Sequence, residues 1–496
     1  MLITAKTAGF EDIEASSVII FCPEGNDYRR VVADELDQST ADRLRVVFES
    51  GEFEGKLNQT AVIHVAGDMA FDRLVLAGLG PDSEIDHDSY RQAAGTLAGL
   101  RALKRSTSVA VRMDDDEDPE MAAAIVEGFL LGGYKFREFM TGHDNDEGRT
   151  ESLVFFGRNR RRTARLMKSA GRGEIIADGV MTARGLAAYP ANRLTPSMFA
   201  SRAKKLAQAH GFECTVLDEK KIRSEKMGAL LAVAQGSKEP ARFLILEYQG
   251  KRSASKPIVL VGKGVTFDSG GLSLKQPAGM IEMKGDMQGG AIVLAAIVTA
   301  ARLGLRRRIV GLIPLAENMP SSKAIRPGDI IKSRKGKTIE IINTDAEGRL
   351  ILADALDYAN NFNPEAVIDI ATLTGGALYV LGYSGAPVTG NHAGLMDAIR
   401  EASSATAERV WEMPIWDDFR ERMKSPLADL KNSGGKPAAT MTAAAFLENF
   451  IGDWPWAHID IAYVDVEPEG RPYIPKGTTG IGLRLLVELL SKWKRL

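Results

Sequence analysis

Short apolar, β-branched runs recur through the first third of the chain, each closed by polar residues. Examples are 17–21 (Ser-Val-Ile-Ile-Phe), 60–65 (Thr-Ala-Val-Ile-His-Val) and 73–77 (Arg-Leu-Val-Leu-Ala). Runs of this length and composition read as strands. Helical stretches at 89–102 and 120–131 lie between the later ones, and such βα alternation predicts a small α/β domain. Further along, Ile258 to Val261 is wholly apolar and predicts a buried strand, and Ala291 to Ala301 predicts a core helix. That helix is too short to span a bilayer, and no window approaches 18 uninterrupted apolar residues.

The strongest chemical signal lies at strand ends. Residues 343–349 read Asn-Thr-Asp-Ala-Glu-Gly-Arg, just before an apolar, helix-like run. In an extended backbone, residues i and i+2 share a side, so Asp345 and Glu347 would face one point beside Arg349. Such a pair either binds a hard cation or does acid–base work; the alternative is a solvated turn in which Asp345 caps the helix. A second segment, 262–290, carries Lys263 where the strand Ile258 to Val261 ends. It continues with Asp268, Lys275 and Asp286. Asp286 precedes the core helix and either caps it or serves as a ligand at its mouth. In open parallel sheets, ligands bind at the carboxyl ends of strands. Four carboxylates (Asp268, Asp286, Asp345, Glu347) would balance two divalent cations, and their oxygens suit Mg²⁺, Mn²⁺ or Zn²⁺.

Composition narrows the alternatives. At 496 residues the chain is long for one domain,. The expected divisions are an N-terminal α/β domain over 1–157, a linking helix over 158–188 and a larger domain over 189–496 that carries the charged strand ends. The net charge of −2 gives no general bias toward nucleic acid,. Arg158 to Arg172 is locally basic; it reads as a solvated helix face or, less simply, as a nucleic-acid patch. The acidic run at 114–118 reads as a solvated loop. Two cysteines without paired spacing, Cys22 and Cys214, point to a reducing compartment and not to a disulfide framework,. No secretory pattern opens the chain, so a cytoplasmic protein without membrane association is expected. The histidines show no H-E-x-x-H spacing, and the serines no G-x-S-x-G elbow.

Taken together, 261–287 and 343–356 resemble the signatures of the leucine aminopeptidase family, the two-metal cytosolic aminopeptidases. The blocks 371–375, 428–432, 456–462 and 475–477 extend the likeness, which covers roughly residues 180 to 490 in order. The resemblance implies two α/β domains, the larger with a mixed, mostly parallel sheet flanked by helices. It also implies hydrolysis of N-terminal peptide bonds by a hydroxide bridging two metals, with Mn²⁺ or Zn²⁺ expected. On the matching positions, Asp268 and Glu347 bridge both metals, Asp345 binds one, and Lys263 and Asp286 bind the other. Lys275 stabilises the oxyanion, and Arg349 holds a bicarbonate that acts as general base. Met283, Thr372, Leu373, Gly375 and Ala462 line an apolar pocket for the first, leucine-like side chain of a peptide substrate. A homohexamer is implied as well. Some relatives bind DNA, which gives an alternative reading as an architectural protein with secondary peptidase activity. The chain departs from the pattern at Gln288-Gly289-Gly290, where a looser helix start is expected, and at Tyr463 and Asp465, where the family more often has small or apolar residues. Asp465 either reaches the pocket rim or faces solvent or a lysine.

Overall fold

The computed structural model describes residues 1–25, 35–65, 69–104, 106–113, 118–141, 150–250 and 256–494. Positions 114–117 of the acidic run lie outside the described residues. The chain forms two compact units. One is Met1–Asp178 with Glu469–Lys476; the other is Gly179–Pro468 with Gly477–Leu496. The stretch expected to link the domains is a single helix, Arg160–Ala188. Its Arg160, Arg161, Arg165 and Lys168 face solvent, while Arg162 is buried. Arg158, just before the helix, is held by Glu11 and Glu35.

The first unit is built on a six-stranded sheet in the order Leu2–Thr7, Ser152–Gly157, Ser108–Arg112, Ala15–Pro23, Phe71–Gly80, Thr60–His64. All neighbours run parallel except the last pair. Alternation along a strand sends side chains to opposite faces. Ile19, Phe21, Val75 and Ala77 accordingly pack on one face, with Tyr90, Leu97 and Phe129 from the helices His87–Gly99 and Met121–Gly132. Val18, Ile20, Leu74 and Leu76 pack on the other, with Phe10, Leu44 and Phe53. The short runs at 17–21, 60–65 and 73–77 are thus strands of one α/β sandwich.

The second unit carries a nine-stranded mixed sheet. Its central strands, Trp456–Asp460, Ala366–Ala371, Ile258–Gly262 and Ile309–Asn318, are parallel. Arg242–Tyr248, Glu213–Leu217 and Ala386–Gly390 join antiparallel toward the edges. Gly264–Asp268 adds a short parallel pairing beside the end of Ile309–Asn318. The expected mixed, mostly parallel sheet between helices is therefore what forms. Val259, Val261, Val310 and Val367 pack with the fully buried helix Gly348–Ala359. On the opposite face, the helix Gln288–Leu303 lies against the sheet so closely that a Cβ on Gly311 would meet Ile297 Cδ1 at 2.5 Å. The helical run Pro277–Leu303 is long and apolar enough to cross a bilayer by composition, but 83% of its apolar window is buried within the protein. It is a core helix, as its sequence suggests.

Gln288-Gly289-Gly290 does not loosen the start of that helix. A Cβ on Gly289 would lie 2.1 Å from Ile370 O, and one on Gly262 would lie 2.4 Å from Gly289 O. Gly290 N–H donates to Lys263 O at 2.7 Å. Glycine here lets the helix end dock backbone to backbone on the strand ends, which any side chain would prevent.

Candidate active site

Four loops at the carboxyl ends of the parallel strands converge on one charged cluster. Lys263 follows the strand Ile258–Gly262, and Asp268 ends Gly264–Asp268. Asp286 closes a short 3-10 turn, Ile281–Gly285, and Glu347 is the N-cap residue of Gly348–Ala359. Oxygens of Asp268, Asp286 and Glu347 all lie within 4.8 Å of one another, a grouping that fits a metal ion. All three residues are buried. Carboxylates so close and so dry repel one another, and each would cost several kcal/mol to bury unpaired.

Two lysines offset that repulsion in the chain by itself. Lys263 Nζ lies 2.7 Å from Asp286 Oδ1 and 3.0 Å from Glu347 Oε1, and it donates to Thr372 O at 2.8 Å. Lys275 Nζ lies 2.7 Å from Asp268 Oδ2 and 2.6 Å from Asp345 Oδ1. Burial presses both ammonium groups toward neutrality, but the surrounding carboxylates outweigh it and hold both above their ordinary value. Burial also raises the Asp268 and Asp286 carboxyls; Glu347 reinforces the rise at Asp268, while Lys263 opposes it at Asp286. Even so, Asp286 Oδ2 and Glu347 Oε2 are buried with no hydrogen-bond partner among the described residues. Buried oxygens are normally satisfied, so these two point to a group that completes them.

Asp345 sits differently. Residues 343–346 form a turn, with Ala346 N–H donating to Asn343 O at 3.2 Å, and not the extended segment expected. The i, i+2 rule therefore does not bring Asp345 and Glu347 together. Asp345 stands outside the tight carboxylate trio with its side chain a third exposed, tied to Asp268 through Lys275. Neither Asp345 nor Asp286 caps a helix: the N-cap positions belong to Glu347 and Met287, and neither side chain accepts a capping bond.

The supporting shell was not legible as such in the sequence. Asn318 Nδ2 donates to Asp268 Oδ1 at 2.8 Å and to Thr344 O at 3.0 Å, joining two loops. Asn432 Nδ2 donates to Asn343 O at 2.7 Å, while its Oδ1 accepts from Ile342 N–H at 2.8 Å. Thr372 Oγ1 donates to Asp286 Oδ1 at 2.9 Å. An asparagine ending a buried parallel strand, as Asn318 does, was the one available signal. Gly348 also has a spatial role: a Cβ there would meet Lys263 Cε at 2.6 Å.

Arg349 is buried behind the cluster and donates through Nη1 to Asn432 O at 3.0 Å, with Nε unpartnered among the described residues. Burial lowers its pKa to about 10, against the pull of Glu347 and Asp460. His458 is a core histidine, held by Asp369 at 2.5 Å. Asp460 organises the neighbouring loops: its Oδ1 accepts from Leu373 and Ala462 N–H at 3.1 and 3.2 Å, and its Oδ2 from Thr374 Oγ1 at 2.6 Å. Met283 O accepts from Asp286 N–H at 3.3 Å. Met283, Thr372, Leu373 and Ala462 are partly exposed and Gly375 is exposed; Met283 and Thr372 bond to Asp286, and Leu373 and Ala462 to Asp460.

Residues 181–487 match the model of the cytosol aminopeptidase family catalytic domain, and residues 19–143 that of its N-terminal domain. A probable cytosol aminopeptidase of Geotalea uraniireducens is 45% identical over 463 residues, 93% of this chain and 94% of the relative. One from Geobacter sulfurreducens is 42% identical over 498 residues and spans 99% of both chains. Among solved structures, the bottromycin maturation enzyme BotP in complex with Mn superposes with a TM-score of 0.84 at 32% identity, covering 96% of this chain and 99% of that one.

Proposed function

Because the chain belongs to the cytosol aminopeptidase family of metal-dependent hydrolases, we propose that it removes the first residue of peptides at a centre of two divalent ions held by Lys263, Asp268, Asp286, Asp345 and Glu347. The observation that carries this reading is the buried trio Asp268, Asp286 and Glu347 with its two unpartnered oxygens. Four carboxylates match the charge of two dications, whose field would drive the proton from Lys263 and leave a neutral amine as ligand. When bound, such a pair of ions supplies Lewis acidity and brings the pKa of a shared water to about 7. Mn²⁺ or Zn²⁺ suits the oxygen-rich donors, and BotP has been solved with Mn.

The chain's own groups then divide the remaining work. Lys275, with an ammonium held charged by Asp268 and Asp345, faces the charge that develops on the scissile carbonyl oxygen,. Arg349, with its unpartnered Nε, holds the bicarbonate that takes up the proton. Met283, Thr372, Leu373, Gly375 and Ala462 receive the first side chain, and their apolar surfaces favour leucine- or methionine-like residues. A cytoplasmic location and a homohexamer complete the reading, the former supported by the names of the relatives.

The direct test compares leucinamide with N-acetyl-leucinamide in Mn²⁺ or Zn²⁺. Hydrolysis of the free-amine substrate alone is expected, with Asp268→Ala and Glu347→Ala inactive. Equal cleavage of the blocked substrate, or full activity of either variant, would overturn the assignment.

A further inference from the structure

Three departures from the family pattern, Gln288 and the neighbouring Tyr463 and Asp465, meet beside the site. Tyr463 has φ of +72°, the left-handed region that glycine adopts freely and an aromatic residue rarely does,. Its hydroxyl comes to 3.9 Å from where a Cβ on Gly375 would stand. Its ring meets Tyr383 edge-on, centroids 6.2 Å apart. Burial pushes its phenol pKa up, with Tyr379 and Tyr383 adding to the effect, and Lys275 lies within electrostatic reach. Tyr463 therefore turns its hydroxyl toward the loop carrying Gly375.

Asp465 does not project free at the rim, and among the described residues it pairs with no lysine. Its Oδ2 accepts from Gln288 Nε2 at 2.6 Å, and its backbone N–H donates to Ile461 O at 3.0 Å, closing the turn that contains Tyr463. Gln288 is buried at the mouth of the core helix, two residues after Asp286. The Gln288–Asp465 pair thus grips the turn at the residue whose backbone is strained. Conformations of this kind persist only where surrounding contacts over-determine them, and they concentrate where strain serves function.

We propose that Tyr463 is a specificity-determining residue that narrows the first-residue pocket on its Gly375 side, with Gln288 and Asp465 as positioning residues that hold it there. The proposal rests on the pocket assigned above. A glycine at 463 would relieve the strain and leave that side of the pocket open. With Tyr463 in place, short or slender first residues such as alanine and methionine fit, whereas phenylalanine and tryptophan meet the phenol.

The test uses the full-length, metal-loaded enzyme and the amides of alanine, methionine, phenylalanine and tryptophan. Tyr463→Gly is expected to raise kcat/KM for the phenylalanine and tryptophan amides relative to alanine by about tenfold or more, the scale on which pocket shape discriminates. The change should fall mainly in KM. Tyr463→Asn, whose side chain tolerates the left-handed region, serves as a second variant. Gln288→Ala should shift the ratio in the same direction, and adding it to Tyr463→Gly should change nothing more, because its effect passes through Tyr463. Ratios within twofold of wild type in both Tyr463 variants would overturn the proposal, as would additive effects in the double variant. Wild-type enzyme inactive on all four amides would instead overturn the aminopeptidase reading itself.

Discussion

Lys275 is the residue whose role separates chemistry from binding most cleanly. Its ammonium is fixed by two carboxylates, yet its side chain remains 21% exposed, so it can reach a substrate. Lys275→Ala is expected to lower kcat by about 10²–10³-fold, the usual cost of one oxyanion donor. Metal content should be unchanged, which metal analysis of the purified variant checks. Full kcat in that variant would remove Lys275 from the reaction. Most of these residues were readable in the sequence because charge at strand ends is costly and therefore informative. Lys263, Asp268, Asp286 and Glu347 do converge. The inference about Asp345 had the wrong local geometry, since nothing in Asn-Thr-Asp-Ala-Glu distinguishes an extended segment from a turn before a helix. Asn318 and Asn432 were missed as supports because their work is hydrogen bonding between loops, which leaves no periodic trace.

At the level of elements, the start of the helix Gly348–Ala359 is fitted around Lys263. Alanine normally favours a helix over glycine, by up to about 1 kcal/mol. Gly348→Ala should nonetheless displace the Lys263 side chain, because its Cβ would come within 2.6 Å of Cε. A folded protein with weakened metal retention is the expected outcome, read by circular dichroism together with metal analysis after dialysis. Undiminished retention would show that Lys263 can move without consequence. Gly289→Ala makes the opposite case, since its Cβ would strike Ile370 O, a backbone atom that cannot rotate away. A loss of about 1–3 kcal/mol in unfolding free energy is expected from such overpacking. The strands and core helices were legible from their apolar runs. The glycine contacts were not, because a glycine pair before a helix reads as weak helix propensity until the opposing strand ends are in place.

At the scale of the whole molecule, Lys263 and Lys275 hold the carboxylates of the second unit in the chain by itself, and the proposed metal ions would take over that role. Lys263 is held protonated at neutral pH, its pKa raised above the ordinary 10.5 by Asp286 and Glu347 despite burial. While its carboxylate partners stay ionised, that ion pairing supports the metal-free fold fully below pH 10.5 and fades as pH rises through the folded value; on the acid side it is lost as Asp286, itself raised by burial, takes up a proton,. With Lys263 as a ligand, as proposed, metal must displace its proton, so affinity should fall as pH drops, by roughly tenfold per unit for each proton released. Adding Mn²⁺ to the metal-free protein in weak buffer should therefore acidify the solution; uptake without proton release would mean that Lys263 stays charged and is not a ligand. Strand and helix alternation predicted the first α/β unit, chain length the second domain and the family resemblance its mixed sheet, whereas Glu469–Lys476, which belongs with the first unit, carries no sequence mark of that placement. The two-metal centre itself is tested most directly by stoichiometry. Metal-free enzyme is titrated with Mn²⁺ while bound metal and leucinamide hydrolysis are followed together. Two ions per chain at full activity are expected, and full activity at saturation with one ion per chain would contradict the assignment.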